Sequence, residues 1–159
     1  MQDLKLLLII VLANGTPIVA RLLFGKKFDH PVDFGLKLTD QKRLFGDSKS
    51  WRGIVSAITL SMICAVILGF TWNVGLLLGG WSMFGDLFSS FIKRRLGMTP
   101  SSQACGLDQI PESLFPLLAV SSVLDLEWWR ICYLVLLFIV IELSLSRILF
   151  ILKIRRRPY

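Results

Sequence analysis

Two aspartates, Asp86 and Asp108, are the residues of this chain best suited to bind a metal ion. Asp86 ends an apolar run and is followed by three consecutive cations, Lys93, Arg94 and Arg95. A carboxylate near hydrocarbon is costly unless another group pairs with it or uses it. Magnesium prefers carboxylate oxygens and usually completes its coordination with water and substrate phosphates. The pattern therefore predicts a Mg²⁺ site at Asp86 and Asp108.

Basic segments with interspersed glycine surround these carboxylates. Lys49 and Arg52 precede the second apolar stretch, and Lys93 to Arg95 follow the third. Side-chain cations and the accessible backbone N–H groups of such segments can both contact phosphate oxygens. A basic loop alone is common in membrane proteins, but two basic segments together with two carboxylates favour a nucleoside triphosphate site. Ser89 and Ser90 could add hydroxyl contacts.

Helical periodicity places Asp86 on the same face as Ser90 and Lys93. A structural salt bridge between Asp86 and Lys93 is therefore an alternative to metal binding. Zinc and Ser-His-Asp chemistry are disfavoured, because His30 is the only histidine and the three cysteines form no C-x-x-C pair.

The elements that would position these residues are membrane spans. The chain is 54% hydrophobic and only 18% charged, with a mean hydropathy of +0.66, which is typical of a polytopic membrane protein. Its apolar stretches approach the roughly 20 residues needed to cross a bilayer; they lie at 4–24, 53–71, 75–92, 110–124 and 131–152. We expect an all-α protein with one domain over 1–159, five transmembrane helices and two cytoplasmic loops forming the active site.

Charge predicts the orientation of these spans. Basic residues concentrate in 25–52, at 93–95 and in the tail at 153–157, whereas Arg130 is the only basic residue in the opposite connections. The positive-inside rule then places the N-terminus outside and the C-terminus in the cytoplasm. The net charge of +7 is explained by topology and anionic headgroups, so no nucleic-acid partner is expected. Tryptophans near the span ends are expected to be interface anchors; they are Trp51, Trp72, Trp128 and Trp129.

Several motifs occur in a definite order between residues 14 and 109. They are Asn14-Gly-Thr-Pro17, Pro31-x-Asp33-x-Gly35, Gly46-x-x-Lys49-x-Trp51-Arg52-Gly53, Gly85-Asp86-x-x-Ser89-Ser90-Phe91-x-Lys93-Arg94-Arg95 and Leu107-Asp108-Gln109. This set resembles the CDP-archaeol synthase family, which is related to the phosphatidate cytidylyltransferases. The chain departs from the family pattern at Pro100-Ser101 and at Asp40-Gln-Lys-Arg43.

The resemblance implies a CTP-dependent nucleotidyltransferase that moves CMP onto an archaeal ether-lipid phosphate, with Mg²⁺ as cofactor, and releases pyrophosphate. It implies catalytic roles for Asp86, Lys93 and Asp108, with the two aspartates holding the metal. CTP and a membrane lipid phosphate are the expected partners. The residues expected to bind these substrates are Asn14, Asp33, Lys49, Arg52, Ser89, Ser90, Arg94, Arg95 and Gln109.

Other interpretations remain open from the sequence. Phosphatidate could replace the ether lipid, giving CDP-diacylglycerol, and a non-catalytic transporter or scaffold would also contain intramembrane polar groups. A CDP-alcohol phosphotransferase is disfavoured, because the D-G-x-x-A-R motif is absent. Pro17 could simply kink its helix. Glu142 is expected to form a structural pair with Arg147 inside the bundle.

Overall fold

The structure, a computed structural model, describes residues 1–25, 27–98, 104 and 106–151. The Pro100-Ser101 departure and the basic tail at 153–157 lie outside the described residues. The described chain is all-helical apart from two isolated β-bridges in the first long loop. Its helices are α1 (Gln2–Phe24), α2 (Trp51–Ile67), α3 (Trp72–Arg95), α4 (Gln109–Leu124) and α5 (Trp128–Ile151).

The helices differ from the predicted spans mainly at their ends. All five begin earlier, three of them at the tryptophans Trp51, Trp72 and Trp128. The second ends at Ile67 rather than 71, and Gly69 then adopts a φ of 84°, a backbone conformation that glycine tolerates and that stops a helix. The third continues to Arg95, so that its last turn carries three cations, which interact favourably with the negative end of the helix dipole.

Three helices are long and apolar enough to cross a membrane. They are Gln2–Phe24, Trp72–Arg95 and Trp128–Ile148, with mean hydropathies of 2.1, 1.2 and 2.2. The apolar helices α2 and α4 have 17 and 16 residues, so at about 1.5 Å per residue they are shorter than a bilayer core of about 30 Å. The described chain is thus a membrane protein, while the crossing by α2 and α4 remains a prediction.

Contacts at the two ends show that successive helices alternate in direction. At one end Arg52, in the first turn of α2, donates to the carbonyl of Gly25 just after α1. At the other end Lys5 of α1 donates to the carbonyl of Leu68 just after α2, and Arg130 of α5 donates to Asp3. The end of α3 and the start of α4 therefore lie beside the loop that joins α1 to α2.

Glycine permits close approach between the helices. A Cβ at Gly75 would lie 2.5 Å from the carbonyl oxygen of Ser61, and one at Gly85 would lie 2.3 Å from that of Pro111. Gly79 also packs against Ser61, whereas Gly80 faces open space. Gly75 and Gly79 thus allow close helix packing, and Gly80 does not take part in it.

Candidate active site

Lys49 and Asp86 form the central ion pair of the site. The Lys49 Nζ atom lies 2.5 Å from Oδ1 and 2.6 Å from Oδ2 of Asp86, and both side chains are about four-fifths buried. Lys49 ends the first loop, where Ser50 caps α2, and Asp86 projects from α3. Burial, the largest single effect, would lower the pKa of Lys49, but the charge and hydrogen bonds of Asp86, together with the charges of Glu112 and Asp108, raise it.

A second lysine–aspartate pair joins α3 to α4. Lys93 Nζ lies 2.6 Å from Oδ1 of Asp108, and Oδ2 of Asp108 accepts a hydrogen bond from the backbone N–H of Ala104. Asp108 directly precedes α4. The alternative of an Asp86–Lys93 bridge along one helix is not what the structure shows, because each member instead contacts a charge from another segment.

Glu112 is a third carboxyl group beside the two lysine–aspartate pairs, and together these five residues form a charged cluster. Glu112 was not identified in the sequence analysis. Its side chain lies beside that of Asp86 and is largely buried. The contact depends on Gly85, which lets α3 approach the backbone of α4 closely, and on Ser82, whose hydroxyl donates to the carbonyl of Glu112. A signal was available, since Glu112 follows Asp108 by one helical turn inside an apolar segment.

Gln109 connects the cluster to α5. Its Nε2 donates to Oε2 of Glu142 at 2.7 Å, and its Oε1 accepts from the N–H of Gly106. The side chain is fully buried. Glu142 therefore pairs with Gln109 and not with Arg147 as expected, and the amide of Gln109 has protein partners at both of its polar atoms.

Asp33 organises the first loop. Its carboxylate accepts from Arg43 and from the backbone N–H groups of Phe45 and Gly46. Burial by itself would raise the pKa of Asp33, but these hydrogen bonds, with that from Arg43 largest, lower it to about 2. Gly46 has a φ of 97°, which only glycine adopts without strain. Asp33, predicted to bind substrate, thus binds the loop that carries Lys49.

Two further predicted binding residues also contact the protein. Arg52 donates to the carbonyls of Gly25 and Lys27 and to the carboxylate of Asp29. Arg95 donates to Asp40 and to loop carbonyls. Both tie the first loop to the helix ends. Arg94 is buried beside Gly46.

The remaining predicted residues lie on helices α1 and α3. Ser89 and Ser90 are buried on α3, and the Ser89 hydroxyl donates to the carbonyl of Asp86. The amide of Asn14 donates to the carbonyl of Ile10, one turn earlier in α1. Pro17 lines an open cavity together with Lys49 and Asp86, so it has a place at the site and does more than bend α1.

A family model described as CarS-like, CDP-archaeol synthase, matches residues 2–74 and 66–159, which together span nearly the whole chain. The chain belongs to the CDP-archaeol synthase family. The resemblance noted in the sequence is thereby confirmed.

Curated relatives carry the name CDP-archaeol synthase. One from Pyrococcus furiosus is 39% identical over 107 residues, which cover 61% of this chain and 60% of the relative. The Saccharolobus solfataricus protein is 32% identical over 81% of both chains. The Pyrobaculum aerophilum protein is 30% identical over 92% of this chain and 91% of its own.

A solved structure agrees with the family assignment. It is described as an intramembrane enzyme for archaeal membrane lipids biosynthesis, and it is 28% identical with a TM-score of 0.72. The match covers 89% of this chain and 90% of that one. This CDP-archaeol synthase family member is therefore an all-helical membrane protein with the fold of a lipid biosynthetic enzyme.

Proposed function

We propose that this protein transfers CMP from CTP to the phosphate of an archaeal ether lipid, giving CDP-archaeol and pyrophosphate. The family and the names of its relatives support formation of CDP-archaeol. The observation that carries the chemistry is the meeting of two lysine–aspartate pairs, Lys49–Asp86 and Lys93–Asp108, beside an open cavity.

When substrate arrives, each lysine can exchange its aspartate partner for a phosphate group. Lysine ammonium groups bind phosphate oxygens through charge-assisted hydrogen bonds, so a triphosphate competes with the aspartates for Lys49 and Lys93. The released carboxylates then become available to a cation. Lys49 already lies in the wall of the open cavity.

The carboxyl groups fit a magnesium ion that shares its ligands with substrate. In the described part of the chain, no group of three or more His, Cys, Asp or Glu side chains is arranged around a common point. Asp86 and Asp108 would therefore hold Mg²⁺ with water and phosphate oxygens, as is usual for this ion. When bound, Mg²⁺ would neutralise charge on the phosphates of CTP.

The reaction needs no covalent enzyme intermediate. An oxygen of the lipid phosphate attacks the α-phosphorus of CTP in line with the leaving pyrophosphate. The protein binds and orients both phosphates and offsets the charge that develops on the leaving oxygens. We assign this task to Lys49, Lys93 and Arg94, with Ser89 and Ser90 near them on α3.

We further propose that all five helices cross the membrane, with the N-terminus outside and the active-site loops and C-terminus in the cytoplasm. The alternating helix directions and the basic residues of the first loop support this topology. CTP would then reach the site from the cytoplasm and the lipid from the bilayer.

Labelled CTP provides the direct test. Purified protein is incubated with α-labelled CTP, Mg²⁺ and either unsaturated archaetidic acid or phosphatidic acid. We expect a labelled CDP-lipid with the ether substrate, loss of product in excess EDTA, and recovery when Mg²⁺ is restored. Full turnover in EDTA would contradict the metal role, and product from phosphatidic acid alone would contradict the ether lipid as acceptor.

A further inference from the structure

A cavity that is open to solvent lies between the first loop and helices α1, α2 and α3. It contains Lys49 and Asp86 of the candidate site. It also contains Arg21, a residue in the last turn of α1 to which the sequence analysis gave no role.

Among the charged side chains that line this cavity, Arg21 differs from the others in its contacts. Its three aspartates all have basic partners: Asp86 pairs with Lys49, Asp29 with Arg52, and Asp47 with Arg43. Arg21 has no ion pair or side-chain hydrogen bond with any residue that the structure describes. Its positive charge is therefore the one in the cavity wall that no described carboxylate offsets.

The position of Arg21 along α1 indicates which kind of anion it could bind. Arg21 follows Pro17 by one turn, and Pro17 packs against Gly53 at the start of α2, so Arg21 lies beside the joint between these helices. Because α1 is a long apolar helix that ends at Phe24, a residue in its last turn lies near the edge of the membrane. Lipid phosphates occupy this depth.

We propose that Arg21 binds the phosphate of the lipid acceptor and positions it toward Lys49 and Asp86. The proposal rests on the function given above, in which one phosphate comes from CTP and the other from the bilayer. The planar guanidinium group can donate two parallel hydrogen bonds to one phosphate. The same chemistry would suit a headgroup of the bulk membrane, but Arg21 shares a cavity with the candidate reacting residues.

Kinetics with two variable substrates test the assignment. We expect Arg21→Gln to raise the KM for the lipid phosphate by about tenfold or more, as for loss of a charged hydrogen bond, while the KM for CTP stays within about twofold. Arg21→Lys should recover part of the loss. Lys37→Gln, which removes an exposed cation of the first loop, is the control and should leave both KM values unchanged. A selective rise in the KM for CTP, or no rise for the lipid, would overturn the proposal.

Binding in neutral detergent separates the possible sources of the phosphate. Archaetidic acid is titrated without CTP into wild type and Arg21→Gln in micelles that contain no anionic lipid. Weaker binding by the variant supports the acceptor phosphate, and it would do so even if the wild type formed no CDP-lipid, in which case only the proposed reaction fails. Equal binding here, with an effect only in anionic vesicles, would mean that Arg21 serves bulk headgroups and would overturn the proposal.

Discussion

The charges of the candidate site are arranged as two lysine–aspartate pairs. In the proposed reaction, a substrate phosphate would separate them. Lys49 and Lys93 neutralise Asp86 and Asp108, so each carboxylate remains tolerable near the apolar helices. Glu112 adds a carboxyl group beside Asp86. A cluster of this composition is suited to receive a cation and an anionic substrate together, because each ligand finds groups of opposite charge.

Asparagine substitutions distinguish chemistry from packing at the two aspartates. If both hold Mg²⁺ at the reacting phosphates, Asp86→Asn and Asp108→Asn should each lower turnover by about 10²-fold or more, since a neutral amide is a poor metal ligand. Turnover of CTP per folded molecule is measured, with folding checked by size-exclusion chromatography. Asp125→Asn at the far end of α4 is the control and should be near neutral. Wild-type turnover by either site variant would rule out its catalytic role.

The close crossing of α3 and α4 brings two of these residues together. Gly85 has no side chain between its backbone and that of Pro111, and the neighbouring Asp86 consequently reaches Glu112. The Gly85-Asp86 motif thus combines a packing residue with a charged one. The sequence interpretation placed Gly85 in a family motif without giving it this task.

Adding one methyl group at Gly85 should disrupt the crossing. The new Cβ would meet the Pro111 carbonyl oxygen at 2.3 Å, so we expect Gly85→Ala to destabilise the protein by about 1–3 kcal/mol and to reduce turnover. Thermal unfolding in detergent measures the first effect. Gly80→Ala, where nothing lies within 4 Å, should be neutral or slightly stabilising. Equal stability of the two variants would show that the helices are not in close contact at Gly85.

The contribution of Asp33 to the stability of the first loop depends on pH. Its folded pKa of about 2 lies below the ordinary 3.8, so the carboxylate stabilises the loop above pH 4 and loses that effect as pH falls toward 2. The shift corresponds to about 2 kcal/mol. Hydrogen exchange at the Phe45 and Gly46 amides should show lower protection at pH 2.5 than at pH 5.

Substitution at Asp33 should remove this dependence. We expect Asp33→Asn to have low protection at both pH values, because the ion pair with Arg43 is lost. Asp47→Asn is the matched control, since Asp47 also pairs with Arg43 but its side chain is 77% exposed. If Asp33→Asn kept the wild-type protection, the loop would not depend on this carboxylate.

The whole molecule brings distant motifs to one end of a helical bundle. The loop after α1, the end of α3 and the start of α4 meet there, while Asp3 and Arg130 pair at the opposite end. A reaction between a cytoplasmic nucleotide and a membrane lipid needs such an arrangement, because its two substrates approach from different phases.

Accessibility of single cysteines tests the proposed topology. In a variant whose native cysteines are replaced, Thr39→Cys should react with an impermeant maleimide only from the cytoplasmic side. Glu127→Cys should react only from outside, since five spans place these exposed positions on opposite faces. Labelling of both from the same side would show that the number of spans between them is even and that the five-span topology is wrong.

Much about this protein was determined by local properties of the sequence. Apolar composition and basic segments predicted an all-helical membrane protein, and the motifs around Asp86 and Asp108 identified the family that the comparisons confirm. Lys49 and Lys93 were placed beside these carboxylates in the predicted site, and the structure brings all four together. These inferences succeed because hydropathy, helical periodicity and charge are properties of one continuous segment and do not depend on how segments pack together.

Only the tertiary structure decided which groups pair. Arg52, Arg95 and Gln109 resemble binding residues in sequence, yet their polar atoms contact loop and helix groups far along the chain. Glu112 and Arg21 were missed for the converse reason, because their importance comes from a helix crossing and from a shared cavity. Pair contacts at hydrogen-bond distance depend on how helices pack and how a loop closes, and no single segment contains that information.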